Sequence, residues 1–148
     1  MIAKPFSLDV VLKIRKRKED LAQQKFMKAV AEQKHIESEI DKVKNTQQKL
    51  IQLLEIKQEQ GMLAAELGMF EERIVFTNKE LLSLHKLLQK KKQLVRNKRK
   101  RLLIKSKEYK AMKTLKQNQN QVWKQYLAKK EANMLDEIAI LHHNKSTS

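Results

Sequence analysis

The chain has 148 residues, of which two are glycine, one is proline and none is cysteine. Chain reversals rely on glycine and proline. The scarcity of both residues therefore excludes a globular fold with many turns. The lack of cysteine excludes disulfides and thiolate metal sites. Charged residues make up 34% of the chain and aromatic residues 5%, which is typical of a long helix or coiled coil.

The net charge of +16 is concentrated towards the C-terminus. Residues 1–60 carry 13 basic and 9 acidic residues, whereas residues 89–148 carry 17 and 4. Such a charge favours acidic partners, namely nucleic acid, anionic lipid or an acidic protein surface. No apolar run approaches the roughly 18 residues needed to cross a bilayer. Because the N-terminus also lacks a signal-peptide pattern, we expect a soluble, cytoplasmic protein.

The first helix is predicted over residues 7–60. Ser7 is a candidate cap, and Phe6 precedes it as a candidate staple residue. From Leu8 to Leu54 the apolar residues follow one another in alternating steps of four and three, with a few polar residues at the intervening positions. An average spacing of 3.5 residues over this length predicts a coiled coil.

The segment 61–68 contains both glycines and is the predicted turn. The alternative is a single continuous helix, because the alanines and leucines of this segment favour helix. A second apolar stripe then extends from Phe70 to Met112, and we predict a helix over residues 69–141. The polar residues 142–148 are expected to fray.

Together these elements predict one all-α domain over residues 1–148, in which two long antiparallel helices form a coiled-coil hairpin. A turn centred in 61–68 places residue i opposite about residue 129 − i, so Ile40 is expected to face Leu88. The second helix is the longer one and is expected to overhang the first. Phe6 is expected near Trp123, and the apolar residues beyond the first helix are left for another molecule.

Eight basic residues lie within twelve positions and define the basic run: Lys90, Lys91, Lys92, Arg96, Lys98, Arg99, Lys100 and Arg101. Three interpretations stay open. The run is a solvated helix face partly paired with Glu32, Glu37, Glu39 and Asp41, a nucleic-acid patch, or a surface for an acidic protein. The low aromatic content and the lack of a base-reading motif weigh against nucleic-acid binding.

The sequence lacks the patterns that enzymes need. Two of the four histidines are adjacent, at 142 and 143, and therefore point to different sides of a helix, which disfavours a metal site. There is no glycine-rich phosphate loop or nucleophile motif. A thin helical hairpin also offers no pocket that could desolvate a substrate. We therefore expect no catalysis, no cofactor and no metal.

The two ends of the chain are similar to those of a known family. The opening Lys4-Pro-Phe-Ser-Leu-Asp-Val-Val-Leu-Lys-Ile-Arg15, followed by Glu19-Asp-Leu-Ala22, resembles the start of the FliJ family, whose relatives include the YscO-type proteins of injectisomes. The ending Leu135-Asp-Glu-Ile-Ala139 is similar to the family's acidic-aliphatic close. The resemblance covers nearly the whole chain.

This resemblance implies a function in the cytoplasmic part of the flagellar type III export apparatus, peripheral to the inner membrane. Family members resemble the coiled-coil stalk of the rotary ATP synthase gamma subunit. The end with both termini enters the pore of the hexameric export ATPase, the middle and turn side contact the transmembrane export gate protein, and export substrate chaperones are also bound. The alternative is a basic coiled-coil protein that binds nucleic acid or acts as a scaffold.

The family pattern also implies site residues in this chain. The residues expected to bind the ATPase are Leu8, Val11, Leu12, Arg15, Met134, Leu135, Asp136 and Ile138. The residues expected to bind the gate are Phe70, Ile74, Thr77 and Leu81, of which the first two match the family pattern by residue type and the last two do not.

Overall fold

The computed structural model describes residues 8–147 and consists of two helices. Helix α1 is Asp9–Gln60, with 52 residues, and helix α2 is Ala64–Thr147, with 84 residues. The described residues include no strand, and the all-α hairpin predicted from the sequence is confirmed. The predicted cap at Ser7 and the expected contact of Phe6 with Trp123 lie outside the described residues.

The turn between the helices is shorter than the sequence suggests. It consists of residues 61–63, and α2 begins at Ala64 instead of residue 69. Gly61 ends α1 with a φ of +90°, and its amide donates to the carbonyl of Gln58. Glycine adopts this left-handed conformation without a Cβ penalty, as is common after a helix C-terminus. Gly68 lies within α2, since the preceding Ala64, Ala65 and Leu67 are strong helix formers.

The contacts divide the chain into two compact units. The hairpin unit is residues 21–103 and contains the turn. The terminal unit consists of the residues up to Asp20 together with those from Ile104 onwards.

In the hairpin unit the two helices bury one narrow stripe each. The buried apolar residues are Ala22, Ala29, Ile36, Ile40, Leu88 and Val95. Ile36, Ile40 and Leu88 form the central cluster, and Leu81 and Leu84 pack against it. Within each helix the neighbouring buried positions are four or seven residues apart, which agrees with the heptad spacing of a coiled coil. The stripe predicted from the sequence is therefore the seam between the helices.

One polar layer interrupts this seam. The amide of Gln47 on α1 donates to the hydroxyl of Thr77 on α2 at 3.0 Å and also to the side-chain oxygen of Asn78. The Thr77 hydroxyl in turn donates to the carbonyl of Ile74 at 2.8 Å. Thr77 is 7% exposed, and its polar atom is satisfied. A satisfied polar layer of this kind favours one register over its neighbours.

The register differs by about five residues from the expected one. Gln47 contacts Thr77, Glu32 pairs with Lys91, and the guanidinium of Arg99 lies 5.6 Å from the ring centre of Phe26. In the hairpin unit, residue i therefore lies opposite about residue 124 − i instead of 129 − i. The cause is the turn, since a loop centred on residue 62 shifts every opposing pair.

The terminal unit is held by contacts of the same spacing. Leu8 is buried, and the Arg15 guanidinium donates to the carbonyl of Glu108 at 2.9 Å. The ammonium of Lys116 forms an ion pair with the carboxylate of Asp9. The start of α1 is thus fixed beside residues 108–116 of α2.

Helix α2 extends beyond the predicted end at residue 141 and reaches Thr147. The sequence offers no glycine or proline after Leu141 that would stop it. The hydroxyl of Ser146 donates to the carbonyl of His143 at 2.8 Å within this last turn.

We expect Ile40→Ala to lower the free energy of unfolding by about 2–4 kcal/mol, because Ile40 is 4% exposed in the central cluster and its truncation leaves a cavity. Ile56→Ala is the matched control, since Ile56 is 51% exposed and its loss should cost about 0.5 kcal/mol or less. Urea unfolding followed by circular dichroism measures both values. Equal losses in the two variants would contradict the assigned seam.

Candidate functional site

The C-terminal arm, defined as residues 124–146 of α2, is the part of the terminal unit most open to solvent. Every residue of this arm is exposed. Its large apolar side chains are Leu127, Met134, Leu135, Ile138, Ile140 and Leu141, and their exposed fractions range from 42% to 63%. A concentration of exposed apolar side chains on one segment marks an interaction surface.

At the base of the arm, the rings of Trp123 and Tyr126 stack on each other. Their centroids lie 5.5 Å apart, and their planes differ by 25°. Trp123 is half-buried, whereas Tyr126 is exposed. The pair marks the point at which α2 passes from half-buried to fully exposed residues.

The structure separates the eight residues expected to bind the ATPase into two groups. Leu8 is buried, Val11, Leu12 and Arg15 are half-buried, and these α1 residues belong to the contact with α2. Met134, Leu135, Asp136 and Ile138 are exposed on the arm. Because Asp9 pairs with Lys116, the arm group lies about 27 Å farther along α2, at 1.5 Å per residue from 116 to 134. A single partner must therefore be long to reach both groups.

A charge cluster near the start of α1 surrounds Glu19. The Lys16 ammonium lies 3.0 Å from the carboxylate of Glu19, 3.4 Å from that of Asp20, and 5.1 Å from the ring centre of Tyr109. The hydrogen bond from Lys16 lowers the pKa of the Glu19 carboxyl, and a further bond from Ser106 acts in the same direction. The bond to Glu19, followed by that to Asp20, raises the pKa of Lys16. The cluster thus stabilises the ionised form of both partners.

The four residues expected to bind the gate lie along the seam of the hairpin unit. Thr77 is buried and bonded to Gln47, and Phe70, Ile74 and Leu81 are half-buried. The Lys57 ammonium lies 5.4 Å from the ring centre of Phe70. These side chains are therefore largely occupied with α1.

The neighbouring outer face of α2 has large apolar side chains that the sequence reasoning did not single out. They are Met69, Val75, Phe76 and Leu82, with exposed fractions of 50–67%. Val75 and Phe76 border a shallow surface depression beside Gly68, where a Cβ would meet nothing within 4 Å. In the sequence such exposed residues can be recognised as bulky apolar residues that fall outside the 3.5-residue stripe.

The basic run is mostly open to solvent. Lys90, Arg96, Arg99, Lys100 and Arg101 are exposed, whereas Lys91, Lys92 and Lys98 are half-buried. Of the acidic residues expected opposite it, Glu32 pairs with Lys91 at 3.1 Å. Glu37 instead accepts a bond from Gln33, and Glu39 pairs with Lys42, both within α1. The described ion pairs therefore neutralise one of the eight cations across the seam.

Within residues 8–147 no group of three or more histidine or acidic side chains is arranged to hold a metal ion. None of the described helix segments is long and apolar enough to span a bilayer. The described surface includes, among its exposed apolar side chains, the sets on the arm and on the outer face of α2, together with a row of cations; these features suit contacts with macromolecules.

The comparisons with known proteins give one result. Residues 4–148 match the sequence model of a family described as FliJ, flagellar FliJ protein. Searches of curated proteins and of solved structures return no significant match. The family match covers nearly all of the chain, including the arm, the outer face of α2 and the basic run.

Lys16→Ala is expected to raise the pKa of Glu19 towards its ordinary value of 4.5, because the largest cause of the lowered pKa is removed. A carboxyl with a lowered folded pKa stabilises the fold above its unfolded pKa, and this contribution is lost as the pH falls through the folded value. Acid unfolding of the variant should therefore depend less steeply on pH in the range below about 4.5.

An NMR titration of the Glu19 carboxyl carbon measures this shift. Lys13→Ala serves as the control, since it removes an exposed cation of the same helix that forms no described bond with Glu19. A Glu19 pKa that is the same in all three proteins would exclude Lys16 as the cause.

Proposed function

The chain belongs to the flagellar FliJ family, and from this we propose that it is the coiled-coil stalk of the flagellar type III export apparatus, one end of which binds the pore of the hexameric export ATPase. The membership makes the protein a component of the flagellar export apparatus. The observation that carries the finer proposal is the exposed apolar surface of the C-terminal arm.

The arm has the properties of a segment that inserts into another protein. None of the described residues buries its apolar side chains. A partner that covered them would stabilise the complex by about 25 cal/mol per Å² of apolar surface removed from water. A helix that presents apolar residues at i, i+4 and i+7 is a common recognition element for a protein groove. Met134, Ile138 and Leu141 have this spacing.

In this proposal the two groups of expected ATPase-binding residues have different tasks. Met134, Leu135, Asp136 and Ile138 contact the ATPase directly. Leu8, Val11, Leu12 and Arg15 hold α1 against α2 below the arm and thereby fix its base, because they are buried or half-buried in that contact. The cations Lys124, Lys129 and Lys130 at the start of the arm favour an acidic rim on the pore.

We expect the double variant Leu135→Asp and Ile138→Asp to reduce stimulation of the cognate ATPase by roughly tenfold or more, since buried apolar anchors dominate the energy of protein interfaces. The measurement is the rate of ATP hydrolysis as a function of the concentration of this protein. Asn133→Asp is the matched control, because it adds a negative charge to the same exposed arm without removing an apolar side chain.

Unchanged stimulation by the double variant would show that the arm does not contact the ATPase. A circular dichroism melt distinguishes this case from unfolding. All three substituted positions are exposed, so the melting temperature should stay within a few degrees of that of the wild-type protein.

We also propose that the export gate protein binds the part of the hairpin unit near the turn. Phe70, Ile74, Thr77 and Leu81 hold the seam there, and the adjacent exposed residues Val75 and Phe76 supply the contact surface. Phe76 is 67% exposed, so its ring is available to a partner without any rearrangement of the two helices.

Phe76→Ala is expected to weaken binding of the gate protein's cytoplasmic domain by roughly tenfold, because it removes a large exposed apolar side chain. Its melting temperature should be nearly unchanged. Leu81→Ala provides the contrast, since it removes a side chain packed on the central cluster and should lower the melting temperature. Isothermal titration calorimetry measures the affinities, and a Phe76→Ala protein with wild-type affinity would exclude the outer face.

Export substrate chaperones complete the proposed set of partners, and the proposed location is the cytoplasmic side of the inner membrane at the export apparatus. The family resemblance supports both. The proposed role is structural, because the family consists of export apparatus components rather than enzymes.

A further inference from the structure

The apolar stripe of the C-terminal arm does not continue the seam of the terminal unit. In that unit the half-buried positions of α2 include 105, 109, 112, 116, 119 and 123, in alternating steps of four and three. The same series continues to Tyr126, Lys130, Asn133, Glu137 and Ile140, all of which are exposed, and three of these five are polar or charged. Four of the six large apolar side chains of the arm are Leu127, Met134, Ile138 and Leu141. They lie one position later, which is about 100° around the helix.

This displaced stripe has a coiled-coil spacing of its own. Leu127, Met134 and Leu141 are seven residues apart, and Glu131 and Ile138 fall between them at alternating steps of four and three. Leu135 flanks the stripe on one side, whereas Lys130 and Glu137 flank it on the other. A heptad stripe of this length, on a face that α1 does not cover, matches a second helix.

The charges of the arm identify that helix as a second copy of the arm itself. In an antiparallel pair of identical helices, each flank of the stripe meets the same flank of the other copy. When Leu127 packs on Ile138 of the second copy, Lys130 lies beside Glu137 of the second copy. By symmetry, Glu137 lies beside Lys130 of that copy. The contact is therefore self-complementary, as a two-fold interface requires.

Other arrangements of two arms lack this complementarity. A shift of one heptad in either direction places Lys130 beside Lys130, or Glu137 beside Glu137, and like charges repel. A parallel pair places Lys130 beside Leu135 and Glu137 beside His142, so no ion pair forms between these flanks. The charge pattern thus selects one orientation and one register.

We propose that the C-terminal arm pairs with the arm of a second copy of this chain as an antiparallel two-helix coiled coil centred near residue 133. Glu131 lies within the stripe opposite Met134 of the second copy, and such a polar position lowers the stability of a coiled coil while restricting its register. The pairing is therefore reversible and not obligate.

The pairing has a consequence that rests on the proposed function. Met134, Leu135 and Ile138 would be covered by the second copy, and these residues are also the ones proposed to contact the ATPase. Self-pairing and ATPase binding then exclude each other, so the dimer must dissociate before the arm can bind the ATPase. The dimer itself is measured with this protein alone, so its test does not depend on the ATPase.

Sedimentation equilibrium of the full-length protein tests the charge pairing. We expect a monomer–dimer equilibrium for the wild-type protein and a dissociation constant about tenfold higher for Lys130→Glu or Glu137→Lys, since each replaces two attractions with two repulsions. The variant with both changes restores opposite charges in both pairs and should regain wild-type affinity. Both positions are exposed, so all variants should retain the wild-type helix content.

A wild-type protein that stays monomeric at all concentrations would overturn the proposal. A double variant no better than the single ones would also overturn it. A monomeric protein that stimulates the ATPase would overturn the self-pairing alone, and a dimeric protein that fails to stimulate it would leave the self-pairing intact.

Cysteine cross-linking tests the orientation, because the chain has no native cysteine. In the antiparallel register, Leu127→Cys and Ile138→Cys proteins form a disulfide when mixed and oxidised, whereas neither forms a dimer alone. Residue 127 lies about 16 Å along the axis from its own counterpart, which is too far for a disulfide. A disulfide-linked dimer of Leu127→Cys alone would indicate parallel helices and contradict the proposal.

Discussion

The burial of one narrow apolar stripe on each helix is the interaction on which this structure depends. The described helices share no broad core, and most of the buried apolar side chains are small or singly branched residues spaced four or seven positions apart. Half-buried lysines such as Lys91 and Lys98 extend the covered surface with their aliphatic stems. Most of the described side chains off this stripe are exposed, so the same periodicity that stabilises the hairpin also determines which residues are available to partners.

A seam of this kind permits more than one register. Because its spacing averages 3.5 residues, a shift of about one turn brings apolar residues opposite apolar residues again. The bonded layer of Gln47, Thr77 and Asn78 favours one of these registers, since a shift would break the hydrogen bonds that Gln47 makes across the seam. The layer replaces apolar contacts in the middle of the hairpin unit and favours a single alignment of the two helices.

The proposed interaction surfaces lie where the sequence pattern departs from the seam. The outer face of α2 places Phe76 and Val75 in solvent because they fall between seam positions. The arm has exposed apolar residues because α2 continues beyond residues 108–116, where α1 begins beside it. The basic run has five exposed cations, and one described ion pair crosses from it to α1.

The sequence by itself determined the all-α hairpin, the residues of the seam and the greater length of α2, because periodicity and the scarcity of glycine and proline allow little else. The family resemblance at the two ends likewise followed from local residue order. The tertiary structure alone decided the three-residue turn, and with it the register, since both glycines of the segment 61–68 were possible loop positions and α2 begins at Ala64. It also decided that Thr77 bonds to Gln47, and that the two groups of residues expected to bind the ATPase lie about 27 Å apart along α2. These outcomes depend on which residues face each other across the seam, and a repeating stripe leaves that choice to the turn and the polar layer.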